Sequence, residues 1–183
     1  TVSSAVIQGN GAGDSASAKG FYTVKCHDKD GNLKWQETTH NLVVNVGLQD
    51  MNTKYFSGSS YTAAWYLGLY GAGASNTPAA SDTMSSHAGW TEVTAYSQST
   101  RPACTFGTAS TANPSVIDNS GSPAVFSING TTTVGGAFLT SNNTKGGTTG
   151  TLFSAADFSS PGDRSVVSGD TLTVTYTFSL TAT

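Results

Sequence analysis

Three histidines, two cysteines, two glutamates and a short alternating run of aspartates are the residues of this chain with the most chemistry to offer. His27, His40 and His87 lie far apart, with no acidic partner at metal-ligand spacing, and read as loop or edge residues rather than a metal set. Glu37 and Glu92 are the only glutamates. A glycosidase needs two carboxylates facing across a cleft, and nothing in their spacing indicates that arrangement. Asp28, Asp30 and Asn32 alternate beside Gly31, the opening pattern of a calcium loop. Such a loop needs an acidic residue at its twelfth position, and counted from Asp28 that position holds Thr39. A hairpin turn is the better reading.

Cys26 and Cys104 form no C-x-x-C pair, so neither a zinc nor a redox motif is indicated. One disulfide is arithmetically possible, but two buried thiols are the preferred reading, since free cysteine behaves as a small hydrophobe. The serine-rich stretches hold no G-x-S-x-G elbow. The glycine-rich ones hold no phosphate loop, because Lys145 is followed by Gly146. Asn129-Gly130-Thr131 and Asn142-Asn143-Thr144 are formal glycosylation acceptors, which chance supplies in a chain so rich in Asn and Thr. Trp35, Trp65 and Trp90 could stack on a sugar, yet tryptophans on strands more often belong to the core. The expectation is a protein that is not an enzyme, with no catalytic residue, no metal and no cofactor.

Composition points the same way. Charged residues make up 10% of the chain, against roughly 25% in an average globular protein. Helix bundles carry Lys and Glu on their exposed faces, so a surface of Thr, Ser, Gly and Asn favours strands. The net charge is −3 with eight Lys and Arg in total, which leaves no basic stripe for direct nucleic-acid binding. No apolar run approaches 18 residues, so no membrane-spanning helix is expected. Thr1 to Asn10 lacks the positive start and apolar centre of a secretory signal.

These residues must be held by a scaffold, and its pattern is mostly β. Phe21 to His27 and Leu33 to Thr39 flank a loop with Asp-Gly turn chemistry and read as a hairpin. Asn41 to Phe56 changes period: Val44, Leu48, Met51 and Tyr55 repeat at helical spacing, with Leu42 and Val46 widening the face. Asn41 is the expected N-cap, and Gly47 marks a close approach. Ala63 to Leu69 alternates as a strand, and Tyr70 to Ala88 reads as a long polar loop. Further strands are expected at Trp90 to Tyr96, Ala103 to Thr108, Ala124 to Asn129, Thr133 to Thr140 and Thr149 to Phe153. Asp163 to Asp170 reads as a turn. The closing strand is the clearest, with Leu172, Val174, Tyr176, Phe178 and Leu180 on one face and Thr171, Thr173, Thr175, Thr177 and Ser179 on the other. The fold expected is mainly β: a jelly roll or β-sandwich with one α-helix at about residues 41–56.

Residues 1–20 are Gly, Ala and Ser rich, with one apolar patch at Val2, Val6 and Ile7. They read either as a disordered tail or as an extended N-terminal arm that orders on a neighbouring subunit. Residues 21–183 then form a single β-rich domain.

Several blocks carry a resemblance. His40-Asn41-Leu42-Val43-Val44-Asn45-Val46-Gly47 and Tyr61-Thr62-Ala63-Ala64-Trp65-Tyr66-Leu67-Gly68-Leu69 look like virion proteins of tailed bacteriophages and prophages. So do Gly89-Trp90-Thr91-Glu92-Val93-Thr94, Ala124-Val125-Phe126-Ser127-Ile128-Asn129, Val134-Gly135-Gly136-Ala137-Phe138-Leu139 and Ser168-Gly169-Asp170-Thr171-Leu172. The likeness covers roughly residues 21–180 and rests on packing and turn motifs. It implies a jelly-roll decoration (cement) protein on the outer surface of a phage capsid, assembled in the bacterial host cytoplasm. The major capsid protein is then the expected partner, and a homo-oligomer, trimer or dimer, the expected state. The alternative is a tail or tail-fibre module that binds a host receptor glycan.

Overall fold

The computed structural model describes residues 15–58, 61–71, 77–158 and 162–182. The fold is a β-sandwich with one helix. The first sheet is built on β1 (Ala16–His27), β2 (Leu33–His40), β6 (Ser115–Asp118), β7 (Ala124–Ser127) and β12 (Thr171–Ala182). Its order is β2-β1-β12-β6, with β7 pairing the opening half of β12. The second sheet has the order β3-β10-β9-β4-β5, from β3 (Leu42–Val43), β4 (Tyr66–Gly71), β5 (Thr91–Glu92), β9 (Gly136–Thr140) and β10 (Leu152–Asp157). A small ribbon pairs β8 (Thr132–Val134) with β11 (Arg164–Val166). The one helix among the described residues, α1, spans Asn45–Phe56.

The β1–β2 hairpin forms as its sequence predicts. Asp28 Oδ1 accepts from the backbone N–H groups of Asp30 and Asn32, and Gly31 takes φ +85°. This closes a turn rather than a calcium loop. β1 starts earlier than expected, however. Ala16 to Gly20 continue the strand against Ala182 to Phe178, so these residues belong to the β-rich domain and not to the arm expected over residues 1–20. Val2, Val6 and Ile7 lie outside the described residues.

β12 keeps the predicted alternation with one correction. Leu172, Val174 and Tyr176 are fully buried, while Phe178 is half-buried and Leu180 is 39% exposed. The strand runs past the core, so its last inward positions have little to face.

The helix differs from expectation in both extent and phase. Leu42–Val43 pairs with Ala155 and Ser154 as an edge strand, so Asn41 caps nothing. Val44 occupies the N-cap with no side-chain cap bond. Leu48 and Tyr55, expected on the buried face, are 41% and 81% exposed. Val46 and Met51 turn inward as expected, but Gly47, Asp50 and Lys54 take the places expected of Leu48 and Tyr55. Gly47 sets this phase: a Cβ there would sit 2.4 Å from the Phe153 carbonyl oxygen, so only glycine lets the helix backbone lie on β10.

Around β4, β9 and β10 the one-sided strand pattern fails. Leu67 to Tyr70, Gly136 to Thr140 and Leu152 to Ala156 are buried without a break. One face of this sheet packs on the first sheet; the other packs under α1 and the loop that precedes Trp90. A second apolar cluster of Val44, Tyr70, Met84, Trp90, Phe138 and Leu152 fills that outer layer. Of the stretch read as a polar loop, Tyr70 and Gly71 belong to β4, and Met84 reaches into this outer layer. The strand expected over 63–69 shifts to Tyr66–Gly71. That over 90–96 shortens to Thr91–Glu92: Val93 still donates its N–H to the Leu69 carbonyl, and the chain then crosses over, Tyr96 keeping an isolated bridge to Ile128. Ala103 keeps only an isolated bridge to Tyr66, so no strand forms over 103–108. The strand over 133–140 breaks at Gly135, where the ladder passes from β8 to β9. That expected over 149–153 moves on to Leu152–Asp157. β6 lay outside every expected strand, and β11 forms within the expected turn at Asp163 to Asp170.

Candidate functional site

Most residues with chemical potential are committed to structure. Glu37, on β2, accepts from Arg164 on β11, tying the small ribbon to the first sheet. Glu92, on β5, accepts from Arg101 through both oxygens, at 2.9 and 2.7 Å. The remaining Arg101 donors reach the carbonyls of Asn142 and Gly147 at 2.8 and 2.7 Å. Each glutamate is therefore paired with its own arginine, on a different sheet. His87 stacks on Trp90 at 3.9 Å between ring centroids, with Nδ1 2.8 Å from the Trp90 carbonyl. His27 and His40 lie at the ends of β1 and β2. Among the described residues no group of three or more His, Cys, Asp or Glu is placed to hold a metal ion.

Both cysteines are free and buried. Burial pushes the Cys26 thiol up to about 11, aided by the nearby Asp170 charge, and the Cys104 thiol up to about 12. Nucleophilic chemistry needs the thiolate, so neither is poised for it at neutral pH. A buried tyrosine network sits between the sheets. The Tyr22 hydroxyl lies 2.7 Å from Ser154 Oγ, which lies 3.3 Å from the Tyr176 hydroxyl. Burial raises both phenols far above their ordinary range, so the network binds the sheets as neutral groups.

Several clefts lie among the described residues, and one of them stands apart by its aromatic lining. Where α1 meets the open edge between the sheets lies a cleft of about 330 Å³ with almost wholly apolar walls. Phe153 of β10 forms its floor, with Trp65 edge-on at 5.4 Å and Phe178 edge-on at 5.5 Å. Met51 and Lys54 of α1 form one side, and Ile117 of β6 lies opposite. Lys54 Nζ lies 2.9 Å from Asp50 Oδ2 and 4.1 Å from the centre of the Tyr61 ring. The ammonium is thus held at the mouth by a carboxylate and an aromatic face. Tyr55, Phe56 and Tyr61 are 81%, 77% and 43% exposed, so the helix C-terminus and the cleft mouth present bare aromatic surface.

Comparison with protein-family models, curated proteins and solved structures gives no match. The cleft and the exposed aromatics must therefore be read on their own chemistry.

Of the three tryptophans, Trp90 is buried and donates to Asp82 Oδ2 at 3.1 Å, as a core residue does. Trp35 is half-buried beside Phe158. Trp65 is half-buried because it lines the cleft. Its alternation in sequence signalled a strand but not an open wall. Arg101 carried no readable signal beyond being a rare cation next to Pro102. Its partners come from residues 92, 142 and 147, which only the fold brings together.

Proposed function

We propose that this protein is a capsid decoration protein of a tailed bacteriophage, which binds the assembled head from outside and stabilises it without chemistry. The observation that carries the reading is the pairing of an inert scaffold with an unfilled aromatic surface. Both glutamates are held by arginines and both thiols are buried, while Tyr55, Phe56, Tyr61 and the adjacent cleft remain open. Large exposed aromatic groups mark contact sites, since they bring much apolar area at little entropic cost. The sequence blocks resembling phage virion proteins supply the setting. The major capsid protein is then the partner, and the outer face of the virion the location.

Such a protein acts by binding the assembled shell more tightly than the dissociated one, so it raises particle stability with its own occupancy. Many weak contacts summed over a lattice suffice. With 10% charged residues, those contacts depend little on salt. The test compares particles with and without the protein, heated at fixed salt while genome release is followed. Release at a higher temperature in decorated particles, with hundreds of copies per virion, supports the reading. Release at the same temperature, with few copies located at the tail, rejects it.

A second reading draws on the same aromatics. Tyr55, Phe56 and Tyr61 could stack on sugar rings, as a tail module binding a host glycan would require. Glycan-array binding lost in a Tyr61→Ala variant would favour it.

A further inference from the structure

The apolar cleft beside α1 is open, and the chain itself contains a segment suited to it. Fourteen residues precede Ser15, and their larger apolar side chains are Val2, Val6 and Ile7. Asp14 is the only acidic or basic side chain among them, so little charge would be dragged toward an apolar wall. Gly9, Gly11 and Gly13 separate the apolar group from β1 and make a pliable link. We propose that the cleft of one copy takes the Val2–Ile7 segment of a second copy, so that exchanged arms join subunits.

The point of departure favours exchange. β1 begins at Ala16, opposite Ala182, at an end of the first sheet that has outrun the core. Beyond Phe178 no residue of β12 is buried, and Ala16 to Lys19 are exposed or half-exposed. The chain is therefore released past the body of the domain. The cleft lies back at the level of Phe178, which pairs with Gly20. To enter its own cleft the arm must reverse at the strand end and retrace that distance. A neighbour packed beyond the strand end offers its cleft without that reversal. With Val2–Ile7 seated in the cleft, the eight residues from Ile7 to Ser15 are the tether, and extended they span up to about 26–29 Å, enough to bridge to a subunit packed alongside.

The cleft is the right kind of receptor. Trp65, Phe153 and Phe178 supply rigid aromatic walls, and Met51 supplies an adaptable one. Branched aliphatic side chains fill such a space without leaving a polar group unpaired. The Lys54–Asp50 pair and the Tyr61 ring at the mouth offer polar contacts to the backbone of an extended segment. The proposal deepens the decoration reading, giving its homo-oligomer a physical link, but its test needs no capsid.

Chains carrying I7C alone are mixed with chains carrying K54C alone and gently oxidised. Native Cys26 and Cys104 are buried and stay out of the exchange. A disulfide-linked heterodimer is expected on a non-reducing gel, well above a control mixture with V125C, an exposed position of β7 outside the cleft. In parallel, sedimentation of the full chain is expected to show association that V6D/I7D abolishes while the far-ultraviolet circular dichroism is unchanged. Three results each overturn the proposal. The first is no heterodimer above the control. The second is an internal cross-link alone in the I7C/K54C double variant, which places the arm in its own cleft. The third is association untouched by V6D/I7D, which assigns the contact to another surface. Failure here leaves the heat test of decorated particles unaffected, so the two readings fall separately.

Discussion

Arg101 and Glu92 meet as a bidentate ion pair from which water is almost wholly excluded, with the Arg101 side chain at 0% and the Glu92 side chain at 9% exposure. The pair also organises the connection after β9. Arg101 donates to the carbonyls of Asn142 and Gly147, and the Gly146 N–H donates to Glu92 Oε2 at 2.9 Å. Lys145 completes the clasp, donating to the carbonyls of Tyr96 and Gln98 at 2.9 and 2.6 Å. A loop rich in Asn, Gly and Thr is thereby fixed without an apolar anchor of its own.

Removing one partner of this pair should be costly. Glu92→Gln leaves a buried guanidinium without its counter-charge, a change expected to cost about 3–5 kcal/mol. Replacing both partners, as Glu92→Leu with Arg101→Met, should recover a good part of that loss. Urea denaturation of the three proteins measures it. A single variant as stable as the native chain would mean that solvent reaches the pair.

Gly68 and Phe138 face each other across β4 and β9, and a Cβ on Gly68 would lie 2.1 Å from the Phe138 ring. Gly68→Ala should therefore destabilise by about 1–3 kcal/mol through overpacking. Adding Phe138→Leu should give back part of the loss, although Phe138→Leu alone is destabilising. Non-additivity in thermal melts of the set is the expected signature.

The two thiols should be silent in the folded protein. With Cys26 raised to about 11 and Cys104 to about 12, a thiol reagent at pH 8 finds almost no thiolate and no access. Labelling should be negligible in native buffer and should reach two thiols per chain in urea. Fast labelling of either residue in native buffer would contradict the buried placement.

Asp157 gives a pH dependence of definite sign. Burial raises its carboxyl above the ordinary range, against a hydrogen bond from the Tyr70 hydroxyl that works the other way. The folded state then holds this proton to higher pH than the unfolded state does. Between the unfolded and folded pKa values the native protein binds more protons, so this group's contribution to stability falls as pH rises through that window. Asp157→Asn should raise the melting temperature at neutral pH, with the gain fading as pH drops below the ordinary carboxylate range. A gain that stays constant with pH would point to packing rather than charge.

Phe126 and Leu180 test the depth of the first sheet. Phe126 is fully buried, whereas Leu180 is 39% exposed at the end of β12. Phe126→Ala should cost about 3–5 kcal/mol, and Leu180→Ala well under 1 kcal/mol. Similar losses for both would mean that another surface covers the strand end, as a docked partner does.

By itself the sequence determined the elements whose signals are local. The Asp28–Gly31 turn and its flanking strands carry their own hydrogen-bonding logic, so the first hairpin was readable. Ten alternating residues in β12 likewise allow only one half-buried register. The mainly β class followed from low charge and abundant threonine. What the tertiary structure decided depends on partners distant in sequence. β4, β9 and β10 are buried on both faces because α1 and the loop before Trp90 roof the sheet, and burial on both faces erases the period-two signal. The phase of α1 was set by one glycine lying against the Phe153 carbonyl, whereas the apolar repeat at Leu48 and Tyr55 pointed toward solvent. The Arg101–Glu92 clasp and the cleft between Trp65, Phe153 and Phe178 join residues from several elements. Contacts at that range are fixed by sheet packing, and no local pattern of residue types encodes them.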